Sequence, residues 1–349
     1  MIQINTDIPL ISKKDFLQLA EFRESSCISI LIPQKLKSDD RLFAKIYTKI
    51  LRLKSDFKNE LNSKRVSNSQ FERNIRLVET RIEEWSKSSD SHSIGFFLTK
   101  NALSIFEIPL EIPFKVYYND HFYLKSICPL FNSNSHLIIL FLNKANARIF
   151  QANATDLKQI TGVQNRSANN RNSEFYSRIE TVVDRIITAS SYPLVIAGTK
   201  KRIKDFKESC VNVKFNHEIE LNSQTFKYRI LSKKAAKIIL KIQRNNVNKT
   251  ANLIKRSTDK DLVLTDLNKI MNHAAGGKVK MLFLEKENDV IGEYDEANDF
   301  VFQISNDHRA ASLSNLAAVK TIVNNGNVFL LEHTNMPLPK ERINAILQA

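Results

Sequence analysis

LIILFLNKANARIFQA, Leu137 to Ala152, is the stretch from which the fold of this chain can be read. Six apolar residues, Leu137 to Leu142, run into the polar Asn143-Lys-Ala-Asn146 and out again over Ala147 to Gln151, a pattern that predicts a β-hairpin. A third strand is expected at Leu157 to Ile160. The next thirteen residues, TGVQNRSANNRNS from Thr161 to Ser173, have almost nothing apolar to bury and predict an exposed loop. Glu174 to Ala189 is amphipathic through Ile179, Val182, Val183, Ile186 and Ile187. After it come an apolar strand at Leu194 to Ala197, a helix from Lys200 to Glu208 and a strand at Val211 to Phe215. A hairpin followed by strand, helix, strand predicts a partly parallel sheet covered by helices.

Upstream of the hairpin the pattern is α+β. Lys13 to Glu24 is amphipathic, and Cys27 to Ile32, ended by Pro33, reads as a short strand. A long helix is expected from Asp39 or Asp40 to about Leu61, with Leu42, Ile46, Ile50, Leu53 and Phe57 on one face. A second helix, Gln70 to Trp85, repeats that spacing through Phe71, Ile75, Val78 and Ile82. Strands at Ile94 to Leu98, Leu103 to Ile108 and Phe114 to Tyr118 complete a sheet with two helices laid on it.

Downstream, Ser232 to about Arg256 predicts a helix with Ala235, Ile238, Ile239 and Ile242 facing inward and Lys233, Lys237, Lys241 and Arg244 as an outward stripe. A weak internal echo follows. LTDLNKIMNHAAGGKVKMLFLE from Leu264 and LSNLAAVKTIVNNGNVFLLE from Leu313 both run helix, Gly-containing stop, strand, with Gly276 or Gly277 and Gly326 as expected left-handed caps. The echo predicts that the two strands lie close together. The fold class expected from these patterns is α/β of mixed α+β type in three domains. These are an N-terminal α+β unit over 1–131, a middle mixed sheet with helices over 132–225, and a C-terminal α/β/α unit over 226–349.

Composition narrows the function classes. The 349 residues suit two or three domains, and 42% hydrophobic with 26% charged residues is ordinary for a folded soluble chain. Only seven Gly and eight Pro leave no P-loop or dinucleotide fingerprint. No apolar run reaches the 18 or so residues of a membrane span, and the N-terminus lacks a basic n-region, so a cytoplasmic protein with no membrane partner is expected. Cys27, Cys128 and Cys210 lie far apart among apolar neighbours and read as small buried thiols.

The net charge of +15 is unevenly placed. From Leu221 to Thr258 there is no Asp or Glu, yet there are ten basic residues: Lys227, Arg229, Lys233, Lys234, Lys237, Lys241, Arg244, Lys249, Lys255 and Arg256. They account for +10 of the excess, and the rest of the chain nets only +5. A polyanionic partner is the expectation, set against the plainer reading of a solvated Lys-rich helix.

Catalytic constellations are sparse. Glu180 and Asp184 share a helical face, but Arg178 and Arg185 flank them, which reads as surface ion pairing before two-metal nuclease chemistry. His121 beside Asp120 and His308 beside Asp307 are neighbours whose side chains are expected to diverge. No metal site and no cofactor are expected.

Taken in order, FRESSCISILIP, HFYLKSICPLF, LIILFLNKANARIFQA, YPLVIAG and NLAAVKTIVNNGNVFLLEHTNMP resemble segments of the bacterial relatives of the archaeo-eukaryotic peptide-chain release factor and Pelota family. That resemblance implies an RNase H-like middle domain and a third domain similar to kink-turn-binding ribosomal proteins. Release factors of the family hydrolyse peptidyl-tRNA with a Gly-Gly-Gln loop in the middle domain. Here that place is TGVQNRSANNRNS, with one Gly (Gly162) and one Gln (Gln164), and the chain's single Gly-Gly, Gly276-Gly277, is followed by Lys278 in the third domain. The expected function is therefore a release-factor-like protein that binds the ribosome, tRNA or other structured RNA, without DNA specificity and without the family's hydrolysis. The expected RNA contacts are Lys233, Lys234, Lys237, Lys241 and Arg244, with Arg166 and Arg171 at the middle-domain tip. The alternatives are an RNA or peptidyl-tRNA hydrolase working through Gln164 and Arg166, and a protein-interaction scaffold.

Overall fold

Ser12 opens the first helix, α1 (Lys13–Glu21), with a capping box: its hydroxyl accepts from the Asp15 N–H, and its own N–H donates to the Asp15 carboxylate at 2.9 Å. The computed structural model describes residues 8–24, 26–38, 44, 46–50, 52, 69–87, 92–133, 136–165, 172–210, 212–222, 227–256, 263–303, 310–338 and 340–348, with 69, 172, 250–256 and 303 as backbone alone. Strand β1 (Cys27–Ile32), helix α2 (Ser69–Lys87) and strands β2 (Ser93–Leu98), β3 (Leu103–Ile108) and β4 (Lys115–Asn119) follow. The strands form one antiparallel sheet in the order β3-β2-β1-β4, with Ile30 opposite both Phe96 and Val116. Phe71, Ile75, Val78, Ile82 and Trp85 of α2, together with Ile46 and Ile50, bury against Ile28, Ile30, Ile32, Ile94, Phe96 and Leu98. Leu42, Leu53 and Phe57 of the expected first long helix lie outside the described residues. A buried 3-10 turn, Lys125–Phe131, ends this part of the chain.

The hairpin is β5 (Leu137–Leu142) and β6 (Asn146–Ala152), paired antiparallel from Leu137↔Ala152 to Leu142↔Ala147. Strand β7 (Leu157–Gln164) continues four residues past the expected end, into the segment expected to be loop, and places Gln164 opposite Asn146. Main-chain pairing with β6 carries the extension, and within it Val163 turns its side chain into the core while Gln164 stays exposed. Residues 166–171 of the expected loop lie outside the described residues. After α3 (Asn172–Ser190), β8 (Leu194–Gly198) and α4 (Lys200–Ser209), the last strand is β9 (His217–Glu220); of the strand expected over Val211 to Phe215, Val211 lies outside the described residues and 212–215 are not strand. Val213 and Phe215 pack on the core as side chains while the ladder with β8 forms further on. The sheet order is β7-β6-β5-β8-β9, antiparallel on one side of β5 and parallel on the other. Helix α5 (Tyr228–Arg256) starts four residues before the expected Ser232.

The remaining elements are β10 (Val263–Leu264), α6 (Leu267–Ala275), β11 (Val279–Glu285), β12 (Ile291–Asp295), β13 (Phe300–Gln303), β14 (Ala311–Ser312), α7 (Leu313–Val323), β15 (Asn327–Leu331) and β16 (Ile343–Leu347). The two strands of the echo, β11 and β15, do pair, in parallel, from Met281↔Asn327 to Glu285↔Leu331. Gly277 takes the left-handed conformation after α6 at φ 70°, but after α7 that conformation falls on Asn325 at φ 62°, not on Gly326. Gly326 is demanded by close approach instead, since a Cβ there would lie 2.4 Å from the Val279 carbonyl oxygen.

The fold is mixed α/β with four sheets among the described residues. By contacts it divides into two compact units, one of Met1–Asn132 with Asn248–Ala349, the other of Ser133–Val247. Among the described residues no helix is long and apolar enough to cross a membrane.

Candidate nucleic-acid interface

Helix α5 is split by chemistry along its length. Leu231, Ala235, Ala236, Ile239 and Val247 are buried, Ile238 and Ile242 half-buried, and Lys234, Lys237, Lys241 and Arg244 exposed. At 100° per residue these four cations, with half-buried Lys233, fall within an arc of about 100° and extend about 15 Å along the axis from Lys234 to Arg244. The start of the helix is anchored to the middle sheet. The Tyr228 hydroxyl accepts from the Leu157 N–H at 3.2 Å and donates to the Asp156 carboxylate at 3.3 Å, while Lys234 Nζ donates to the Glu220 carbonyl.

Charge balance on this face is one-sided. Lys237, Lys241 and Arg244 have no ion pair among the described residues, and the one bond of Lys234 goes to a neutral carbonyl. Lys233 does have a partner. The first turn of α5 contains no acid and does contain Arg229, so basic groups stand at the end of the helix whose dipole disfavours them. Helix stability therefore does not explain the basic residues of the first turns.

Gln164 ends β7 with an exposed side chain, and its carbonyl accepts from Arg178 at 3.5 Å. Arg166 and Arg171 lie outside the described residues, so no second residue of the expected tip is placed beside it. Glu180 and Asp184 are not ion-paired with Arg178 or Arg185 among the described residues. One Glu180 carboxylate oxygen is instead buried without a hydrogen bond. The same face of α3 holds buried apolar residues such as Ile179 and Val183, which carry Glu180 inward with them. No group of three or more His, Cys, Asp or Glu among the described residues is placed to hold a metal ion. Burial pushes the thiols of Cys27 and Cys210 up to about 11, and that of Cys128 up as well, so none is a ready nucleophile.

A second polar cluster was not legible in the sequence. Asp120 and His121, expected to diverge, meet: His121 Nδ1 donates to Asp120 at 2.5 Å. Tyr117 donates its hydroxyl proton to His121 Nε2 at 3.1 Å and accepts from the Ser312 N–H at 3.2 Å. The turn after β4 folds the two adjacent side chains to one side so that the buried imidazole keeps both nitrogens satisfied. Burial lowers the His121 pKa against the opposing pull of Asp120, and burial raises that of Tyr117. At one end this chain of bonds reaches the Ser312 backbone amide, and at the other the exposed Asp120 carboxylate.

Beside it, fully buried Lys125 donates to Asp289 at 2.9 Å and to the Asn288 carbonyl at 2.7 Å. Lys115 reaches the same carboxylate at 2.7 Å, and the Tyr123 hydroxyl at 3.1 Å. Burial pushes the Asp289 carboxyl up, but the two ammonium groups outweigh it and hold the pKa below the usual value. Asn315 accepts from the Leu124 and Lys125 N–H groups and donates to the Phe122 carbonyl. Asn132 and the Val328 main chain exchange a reciprocal pair. These bonds stitch the first part of the chain to the last, and the signal that could have found them is a lysine inside the largely apolar run YLKSICPLF.

No family model matches this chain, and no curated protein matches it. Among solved structures it aligns with an archaeal translation termination factor, aRF1, at 13% identity over 97% of this chain and 99% of that one, with a TM-score of 0.27. Thermoplasma acidophilum Pelota aligns at 10% identity over 98% and 95%, with a TM-score of 0.29. A ribosome-bound archaeal Pelota, described together with ABCE1, gives 10%, the same coverage and a TM-score of 0.38. Scores this low establish no residue-level correspondence.

Proposed function

We infer that this protein binds structured RNA through the cationic face of α5, in a translation setting, on the ribosome or tRNA. The carrying observation is the stripe of Lys234, Lys237, Lys241 and Arg244, exposed on a helix whose opposite face is buried and which no carboxylate of its own offsets. Phosphate recognition needs point charges in a row along a rigid support, and an α-helix spaces them at about 5 to 6 Å between neighbours three and four residues apart. The translation setting follows from the order of release-factor-like segments in the sequence. Peptidyl-tRNA hydrolysis of the family type is not part of the reading, because the middle-domain segment after the hairpin lacks Gly-Gly-Gln.

The test is a salt titration of the full chain against tRNA by fluorescence anisotropy. If four or five of the proposed side chains meet phosphates, log Kobs against log[salt] should fall with a slope of about −3 to −4.5, from 0.7 to 0.9 per contact. A slope near zero would overturn the reading.

A further inference from the structure

The strands β12 and β13 form a hairpin whose two faces differ. Val301 is buried, and the Tyr294 hydroxyl contacts Asn272 of α6 at 3.0 Å, so these two side chains turn toward the fold. Phe300 and Phe302 lie on the other face, 46% and 53% exposed, with ring centroids 4.7 Å apart in an edge-to-face pair. Two exposed phenylalanines in contact on a strand of four residues are not explained by folding, which would bury them.

Their cross-strand partners are acidic. The register sets Asp295 opposite Phe300 and Glu293 opposite Phe302, so each ring has a carboxylate beside it on the same face. Glu293 has no hydrogen bond or ion pair among the described residues. Asp295 is tied to Asn298, whose side-chain and backbone hydrogen bonds hold its carboxyl below the usual range and therefore ionised. Glu296 at the tip is offset by Lys320, and Asp299 accepts from Tyr294. From Glu287 to Asp307 the sequence has seven acids and no Lys or Arg, in a chain of net charge +15.

The edge of β13 is not what is on offer. The Val301 N–H already donates to Asn268 of α6 at 2.6 Å, and the Asp299 carbonyl accepts from Asn272 at 3.1 Å, so strand addition is blocked there. What remains open is the side-chain face, with two ring-and-carboxylate sites one strand repeat apart, about 7 Å. A guanidinium suits such a site, since it stacks on an aromatic face and pairs with a carboxylate at once. Nucleic acid is disfavoured, because bases that stacked on the rings would bring phosphates against the carboxylates. A second copy of the hairpin would bring like charges together in the same way.

We propose that the Phe300/Phe302 face of this hairpin, with Glu293 and Asp295, docks an extended arginine-bearing segment of a partner protein, two arginines at alternate positions entering the two sites. The probe is a fluorescein-labelled synthetic peptide of four Arg-Val repeats, titrated into the full chain by anisotropy, with a Glu-Val peptide of the same length as control. The Arg-Val peptide should bind and the Glu-Val peptide should not. Phe300→Ser with Phe302→Ser should weaken the Arg-Val peptide about tenfold or more, and Glu293→Lys severalfold, as for anchor residues of an interface. Both variants should keep the native melting temperature and native tRNA affinity. Four results would each overturn the proposal. These are no binding of the Arg-Val peptide, equal binding to the double variant, loss of tRNA affinity in the correctly folded double variant, and self-association in sedimentation that the double variant abolishes.

Discussion

Lys125 and Lys237 are the same side chain put to opposite uses. Lys125 is fully buried and held by Asp289 and the Asn288 carbonyl, whereas Lys237 stands in solvent on α5 with no ion pair among the described residues. A buried ammonium is tolerated only when its charge and all its donors are met, so its partners are fixed by the fold. An exposed side chain with no ion pair among the described residues, such as Lys237, Lys241 or Arg244, costs little to keep, which leaves its charge available to an outside partner. Counting lysines does not separate these cases; what separates them is whether the fold buries the stem and brings a carboxylate to the ammonium, as Asp289 is brought to Lys125 from 164 residues away.

The largest expected effect lies at the buried end of that contrast. Asp289→Ala strands Lys125 without a counter-charge and should cost about 3 to 5 kcal/mol in denaturant unfolding. Asp289→Asn, which keeps a hydrogen-bond acceptor, should cost less, and it isolates the charge. Because its folded-state pKa is depressed, Asp289 stabilises the fold fully above its unfolded value of 3.8 and loses that contribution as pH falls from there through the folded value. Between pH 5 and pH 2 the native chain should therefore lose stability more steeply than Asp289→Asn. Parallel pH profiles would show that Asp289 is not held by its lysines.

Next in size is Asn315→Ala, which leaves two buried N–H groups and the Phe122 carbonyl without their partner and should cost about 2 to 4 kcal/mol by the same measurement. Tyr117→Phe deprives His121 Nε2 of its donor and the Ser312 N–H of its acceptor, and about 1 to 2 kcal/mol is expected. A double-mutant cycle of the Asn315 and Asp289 substitutions should show coupling, since both act on the turn at Lys125.

The division between what was legible and what was not follows the same line. Hydrophobic period revealed the hairpin of β5 and β6, the α2 face on its sheet and the two faces of α5, because each is written in residues close together, while the closeness of β11 and β15 is read from the internal echo of helix, Gly and strand. Backbone-driven features escaped it. The extension of β7 to Gln164 rests on main-chain pairing with a single apolar side chain, Val163, in the core, too little to show a period, and Val213 and Phe215 look like a strand although they pack as loop residues. The seam from Lys125 to Asp289 escaped for a different reason: its partners are 164 residues apart, and nothing in either segment names the other. For the candidate interface the stripe from Lys233 to Arg244 was legible because charge and helical period coincide there. The charge state of the Phe300 and Phe302 face, by contrast, depends on a cross-strand register that period alone does not set.

The smallest expected change in stability is also the one that bears most on function. Lys237→Gln, Lys241→Gln and Arg244→Gln together remove three exposed charges that make no ion pair among the described residues, so unfolding free energy should move by no more than about 0.5 kcal/mol per site. Helix propensity barely changes, since Lys, Arg and Gln are near-equal helix formers. The RNA titration should respond quite differently: removing three phosphate contacts lowers the salt slope by about 2 to 2.7 and weakens tRNA binding most at low salt. A variant that keeps its fold and its salt slope would mean that these side chains are solvated and nothing more. One that loses stability comparable to Asp289→Ala would mean that the row is paired after all, and that the contrast between the two kinds of lysine is false.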